Sequence, residues 1–309
     1  MAQSRFGKFL LTDSGRSFCM YTTLTLGTGV FCINYLPNTI FLNKYKEIVQ
    51  LYNNGLSVLV SDDLKKKFNK AIDLIGIPKE DRCQYKPFMV YGFDIYSIGT
   101  PFGKEGGLVG LPINFTYTNT ESIDKFQIRL NDASVVWDTT EGKQLLESYV
   151  LSDNAQMYGI ARELKMLESP KFLLDTFFRT ASIFGCYILC VLFNRRMNLL
   201  QKPRSLRFML YAIVGGFTFG NYALAKDFTQ VHYEMKIDKF LKEKDPIFVE
   251  GGKEFYEKML LRNRALRKLL GKSGESYYSV LGNENYLIRQ KHIPIVHRKE
   301  FFESKQEVA

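Results

Sequence analysis

Apolar positions gather into long uncharged runs at three places in this chain, and elsewhere they alternate with charges at spacings that suit shorter helices and strands. No residue between Arg16 and Lys44 is charged, and 18–36 is almost continuously apolar up to Pro37. A second run lies between Arg179 and Arg195 and extends back through Phe178, Phe177, Leu174 and Leu173. A third lies between Arg207 and Lys226. Roughly 20 apolar residues cross a bilayer core of about 30 Å. The runs therefore predict three membrane spans, at 18–36, 173–194 and 208–225. A buried core helix can give one such run, but three in one chain point to an integral membrane protein.

The remaining pattern is mixed. Within 38–172, helices are expected over 45–51 and 62–75, the latter capped by Ser61-Asp62-Asp63 and stopped by Pro78. A β-rich stretch follows (88–98, 107–117, 126–130 and 135–137), divided by Gly, Pro, Asn and Asp clusters. Helical spacing returns at 142–147 and 153–167, where Met157, Ile160, Ala161, Leu164 and Leu167 recur. After the third run, 226–309 is basic and partly helical. An amphipathic helix over 253–270 is marked by Phe255, Met259, Leu266 and Leu270 against Arg262, Arg264, Arg267 and Lys268, with Gly271 as its cap. Its basic face could bind anionic lipid or an acidic partner, and a plain solvated face explains it equally well. The fold class expected is α+β with transmembrane helices: a basic terminus (1–17), one span, an α+β soluble domain (38–172), a two-span hairpin around a basic loop (195–207), and the C-terminal region.

Charge gives this layout a direction. Of 309 residues, 42 are Lys or Arg and 32 are Asp or Glu, a formal net charge of +10; 46% are hydrophobic, too many for a disordered tail. The loop 195–207 carries Arg195, Arg196, Lys202, Arg204 and Arg207 and no acid. Cations beside spans stay on the side from which insertion occurs. The loop and the Arg5/Lys8/Arg16 terminus then share one side, with 38–172 and the C-terminus on the other. The terminus has the composition of a mitochondrial import signal, and the first run reads as a retained anchor, with secretory cleavage the lesser alternative.

Candidate chemistry is sparse. Cys19, Cys32, Cys83, Cys186 and Cys190 make no disulfide framework; Cys186 and Cys190 share a helix face, which suits small-residue packing better than a soft-metal site. Gly271-Lys272-Ser273 ends like a phosphate loop, but the required earlier glycine is Leu266. Gly103, Gly106, Gly107 and Gly110 suit a turn between strands. Asn114-Phe115-Thr116 is a glycosylation acceptor only in the secretory lumen. All three histidines, His232, His292 and His297, follow the third run. A glycine-rich strand, then Leu151-Ser152-Asp153 opening a helix with Ala161-Arg162-Glu163-Leu164, then spans, resembles the layout of membrane-bound zinc peptidases. Arg162 and Met166 stand where that motif needs two imidazoles, and only Glu163 remains, so such a site would be dead. Asp175 and Arg179 are expected to pair across one helical turn. Gly216-Phe217-Thr218-Phe219-Gly220 allows close helix approach. No catalytic, cofactor-binding or metal-binding residues are expected, and no nucleic-acid partner.

Several blocks resemble the transmembrane protein 177 family of the mitochondrial inner membrane. The most specific is Gly251-Gly252-Lys253-Glu254-Phe255-Tyr256-Glu257-Lys258 with Asn263, Ala265-Leu266-Arg267, Leu269-Leu270-Gly271-Lys272 and Gly274-Glu275, continuing to Lys291-His292. Others are Tyr85-Lys86-Pro87-Phe88, Gly110-Leu111-Pro112, Leu151-Ser152 with Ala155-Gln156, and Ala161-Arg162-Glu163 with Leu167-Glu168-Ser169. The N-terminal third matches mainly in hydropathy. The resemblance implies a non-enzymatic assembly factor for cytochrome c oxidase, a multi-pass protein of the mitochondrial inner membrane with its soluble domain and C-terminus in the intermembrane space. It implies newly made subunit II, its membrane chaperone and copper-delivery factors as partners. The alternatives are a degenerate zinc-peptidase-like protein and a secretory-pathway membrane protein.

Overall fold

The structure is a computed structural model describing residues 9, 10, 12–126, 128–131 and 133–304. The expectations placed on Arg5 and Lys8 lie outside the described residues. In chain order the elements are α1 (Asp13–Tyr35), α2 (Leu42–Val49), β1 (Tyr52–Asn53), β2 (Leu56–Ser57), α3 (Asp62–Ile75), β3 (Tyr85–Val90), β4 (Tyr96–Gly99), β5 (Gly107–Pro112), β6 (Arg129–Leu130) and β7 (Ala133–Ser134). Then come α4 (Thr140–Tyr149), α5 (Asp153–Glu168), α6 (Lys171–Arg196), α7 (Arg204–Lys244), α8 (Pro246–Leu269), α9 (Lys272–Tyr277) and α10 (Ile295–Glu303). They group into two compact units, one made of the chain up to Pro37 with Pro170–Gln230, the other of Asn38–Ser169 with Val231 onward.

In the first unit all three uncharged runs are helical. Among the described residues, two helices are long and apolar enough to cross a membrane: α6, with 26 residues, and α7, with 41. The helix α1 has 23 residues, but Thr22, Thr23, Thr25 and Thr28 with Gly27 and Gly29 dilute its apolar content, so two spans are supported where three were expected. Its threonines return hydroxyls to the helix itself, as Thr22 does to the carbonyl of Phe18 at 2.8 Å and Thr23 to that of Cys19 at 2.9 Å. A Cβ on Gly27 would lie 2.3 Å from Cζ of Phe184, so glycine is what lets α1 pack against α6. The expected Asp175–Arg179 pair does not form. Asp175 instead takes Lys171 at 2.7 Å and the hydroxyl of Thr229 at 3.0 Å. Arg179 donates to Asn34 and, through Nε, to the Tyr222 hydroxyl at 2.9 Å. Helices α1, α6 and α7 together supply these partners.

The second unit is built around α5. Ten of its sixteen residues are buried, on all sides of the helix, as expected of a helix inside a core. Ser152 caps it, accepting from the N–H of Ala155 at 3.2 Å, and Ser61 caps α3 in the same way, from Leu64 at 3.3 Å. The sheet has order β3-β5-β4, with β5 parallel to β3 and antiparallel to β4. All six residues of the central β5 are buried. A Cβ on Gly107 would lie 2.9 Å from Leu167, which marks how closely the sheet packs on α5. Gly106 turns the chain into β5 at φ +77°, consistent with the expected turn. The strands are shorter than the β-rich stretch suggested, and 135–137 forms none: Val135 is instead packed with Ile123, Ile128, Leu145 and Tyr149 in a separate cluster. A hairpin over β1 and β2, turning at Asn54-Gly55 with φ +50° and +80°, was not anticipated.

The C-terminal segment supplies the other wall of that core. The helix α8 begins seven residues before the expected 253 and buries Phe248, Phe255, Tyr256 and Leu260. Its apolar face therefore packs within the protein. Its cations are engaged too: Arg262 with Asp94 at 2.7 Å and Lys268 with Glu141 at 3.0 Å. Gly251 and Gly252 would each cost roughly 1 kcal/mol of helix propensity relative to alanine. A Cβ on Gly251 would lie 2.2 Å from the carbonyl oxygen of Asn154, and one on Gly252 3.0 Å from Phe302, so the pair lets α5 and α10 approach.

Candidate functional site

Three groups of polar side chains lie inside the second unit. The first surrounds Glu163, the residue left from the peptidase-like layout. One of its oxygens receives Nε and Nη2 of Arg162 at 3.0 and 2.8 Å, and the other receives the Ser97 hydroxyl of β4 at 2.9 Å. Burial works to deprotonate Arg162, but the adjacent Glu163 carboxylate together with the Tyr256 and Tyr158 phenols outweighs it and holds the guanidinium charged. Glu163 is thus occupied by a buried cation and a strand hydroxyl, an arrangement that ties α5 to the sheet. Among the described residues, no group of three or more His, Cys, Asp or Glu side chains could hold a metal ion.

The second group was invisible in the sequence. Asp238, on α7, is 2% exposed. It accepts from Nε and Nη2 of Arg298 at 2.7 and 2.9 Å and from the Tyr158 hydroxyl at 2.6 Å. Tyr158 and Tyr256 bridge each other at 2.8 Å. Burial pushes both phenols up, with Asp238 adding to the effect and Arg298 opposing it. One turn away on α7, Glu234 accepts from the N–H of Ile293 at 3.1 Å and lies 2.6 Å from Nδ1 of His292. The partners are 60 residues apart in sequence, so no spacing announces them. The carboxylates, the guanidinium and the two phenols of this set bond to one another inside the unit, which makes it a structural fastener for α10.

The third group lines a cavity of about 60 Å³. Phe93, Phe115, Tyr149 and Phe255 form apolar walls, and Asn114, Asp94, Arg162, Lys258 and Arg262 bring polar atoms to it. The Oδ1 of Asn114 and the Nε of Arg262 are both buried without a hydrogen-bond partner. Burial pushes the Tyr149 phenol up to about 12, with Arg262 pulling it down and Asp94 pushing it up. Asn114 is 5% exposed, so the Asn114-Phe115-Thr116 sequence could not carry a glycan in this fold.

Other sequence candidates stay apart. Cys186 and Cys190 sit one turn apart on α6 as free, half-buried thiols. Gly216 and Gly220 are on α7, and a Cβ at either would meet nothing within 4 Å. Lys272 and Ser273 open the short α9, with Gly271 at φ +56° immediately before it.

A sequence model of the family described as Transmembrane protein 177 matches residues 96–303. Among curated proteins, transmembrane protein 177 of Rattus norvegicus is 33% identical over 257 residues, covering 82% of this chain and 81% of its own length. The Homo sapiens protein of that name is 32% identical over 260 residues with the same coverage, and the Xenopus laevis protein is 26% identical over 279 residues, 88% of each chain. No solved structure matches the chain. The matched region takes in β4, β5, α5 and the whole C-terminal wall that encloses the three polar groups, and over that span and on that identity the chain belongs to the Transmembrane protein 177 family.

Proposed function

We propose that this protein is a non-enzymatic assembly factor of the mitochondrial inner membrane, which binds and stabilises newly made cytochrome c oxidase subunit II. On this reading its partners are subunit II, the membrane chaperone of that subunit and the copper-delivery factors. The observation that carries the non-enzymatic part is the engagement of Glu163 by Arg162 and Ser97, because a general base must be free to take a proton. The family membership supports a membrane protein, and the two apolar helices α6 and α7 support a multi-pass one. The cation-rich loop 195–207 between them supports a matrix-side hairpin loop, with Asn38–Ser169 and the C-terminal segment in the intermembrane space. Anionic lipid is a further proposed partner of Arg195, Arg196 and Lys202, which are exposed.

The reading is tested by affinity capture of the tagged full chain from mitochondria during pulse-labelling of mitochondrial translation. Labelled subunit II is expected in the eluate, and its absence while the chaperone and copper factors are also missing refutes the proposal. Glu163→Gln, scored per molecule of folded protein, should capture as much subunit II as wild type. Protease added to mitoplasts should digest the second unit and spare the loop.

A further inference from the structure

We propose that the turn joining α6 and α7 is a discrete seat for one phospholipid whose headgroup carries two phosphates. The inference deepens, and rests on, the reading of anionic lipid as a partner of this loop. Arg195, Arg196 and Lys202 are exposed, and Arg204 and Arg207 are half-buried. Among the described residues, no carboxylate pairs with any of these five cations. In the second unit, by contrast, Arg262 takes Asp94 and Lys268 takes Glu141. The turn is shaped by its own residues. Asn198 enters it at φ +50°, Leu199 is buried within it, and Asn194 of α6 donates to the Tyr211 hydroxyl of α7 at 2.9 Å. Cations held in one arrangement lose little freedom on binding, which favours one fitting anion over anions at large.

Insertion topology accounts for cations in this loop, but not for where they sit. Arg195 and Arg196 occupy the last turn of α6, where cations suit the helix dipole. Arg204 and Arg207 occupy the first turn of α7, which holds no acid. That is the positive end of the dipole, where anions are stabilising and cations are not. A phosphate there answers the dipole and both guanidinium groups at once. The cations thus form two groups, one at each helix end, and two phosphates on one headgroup match them. The loop ends two helices long and apolar enough to cross a membrane, which puts it at headgroup depth. Exposed apolar side chains adjoin both groups, Leu192 and Phe193 on α6 and Phe208 and Met209 on α7. They suit acyl chains, which selects a phospholipid over a free phosphate or an acidic peptide.

The test titrates the purified full chain in detergent, at matched ionic strength, with diphosphatidylglycerol, phosphatidylglycerol and phosphatidylcholine. Native mass spectrometry counts the bound lipid, and thermal denaturation reads the stabilisation. One diphosphatidylglycerol is expected per chain, bound about tenfold more tightly than phosphatidylglycerol, with phosphatidylcholine weaker still. Arg195→Gln with Arg196→Gln, and separately Arg204→Gln with Arg207→Gln, should each bring diphosphatidylglycerol down to the level of phosphatidylglycerol. Each pair leaves the other cations of the loop in place. If one pair fails to fold the other decides, and the wild-type comparison stands without either. Glycerol phosphate in excess should leave the lipid bound; displacement by it would mean a free-anion site and overturns the proposal. Equal binding of the two anionic lipids by wild type overturns it too, while leaving anionic lipid as a partner. Indifference among all three lipids overturns that partner as well. None of these outcomes depends on capture of subunit II.

Discussion

Several glycines within helices or strands of the second unit are closely packed, whereas most of those within helices of the first unit are open. In the second unit a Cβ on Gly107, Gly142, Gly251 or Gly274 would come within 3 Å of a neighbouring atom. In the first unit Gly29, Gly185, Gly215, Gly216 and Gly220 meet nothing within 4 Å, and Gly27 is one that does have a close neighbour. Apolar side chains divide the same way: Tyr158, Ile160 and Leu164 are fully buried, while Ile213, Phe217 and Phe219 are more than 60% exposed. Water drives the second unit to consume its apolar surface internally. Lipid exerts no such drive, so helix faces in the first unit can stay unpartnered until another protein packs on them. Small residues in the second unit therefore record contacts already made, and Gly215, Gly216 and Gly220 on α7 meet no neighbour within the chain.

The largest effect should come from cutting the fastener in the second unit. Arg298→Leu leaves Asp238 as an uncompensated buried charge, expected to cost about 3–5 kcal/mol. Denaturant unfolding followed by tyrosine and tryptophan fluorescence checks it, and a loss under about 1 kcal/mol would mean that the set is not a fastener.

A glycine exchange sets the two units directly against each other. Gly251→Ala should lower stability by about 1–3 kcal/mol, because its Cβ must displace the backbone of Asn154. Gly216→Leu with Gly220→Leu should leave the protein's own abundance and melting temperature unchanged while lowering co-purified subunit II. A fall in abundance instead would show that this face packs within the chain, and no change in either quantity would show that it faces lipid. Within the first unit, Gly27→Leu should loosen α1 from α6 by a similar 1–3 kcal/mol, read as increased protease cleavage near residue 37.

The smallest effect is a pH dependence confined to the second unit. Burial raises the Tyr149 phenol from 10.0 to about 12, so the folded state holds its proton more tightly than the unfolded state. The associated stability is complete below about pH 10 and is lost as pH rises toward 12. At pH 11, Tyr149→Phe should lose about 1 kcal/mol less than wild type relative to pH 9. Equal losses would place the phenol in contact with solvent.

Much of the local structure was legible in the residues themselves. Ser61 and Ser152 cap helices where the polar-to-apolar change put them, and β5 and α5 stand where glycine punctuation and helical spacing placed them. These features depend on neighbours within a turn or two, where the sequence carries the whole cause. The hairpin at Asn54-Gly55 was legible as well, through a dipeptide that favours positive φ at both positions, and it was passed over because the flanking strands have two residues each. The candidate site was almost wholly illegible. Arg162 and Glu163 were singled out for absent imidazoles, whereas their role emerges from Ser97, 66 residues away from Glu163. Asn114 was noticed only as a sequon, and Arg262 only as part of a basic face.

By itself the sequence determined that the chain holds long apolar helices around a cation-rich loop, that its remainder is α+β, and which family it resembles. The first two properties follow from composition and short-range periodicity, which survive any choice of packing, and the resemblance from particular residue blocks in their order along the chain. Tertiary structure alone decided that α8 and α10 close over α5, that Asp238 meets Arg298, and that Arg179 meets Tyr222 and Asn34 in place of Asp175. It also decided that Asn114 and Arg262 line one cavity. The reason is physical: burial makes an unpaired charge or carbonyl costly. Which partner removes that cost is set by what the fold brings within 3 Å, a distance that sequence separation does not encode.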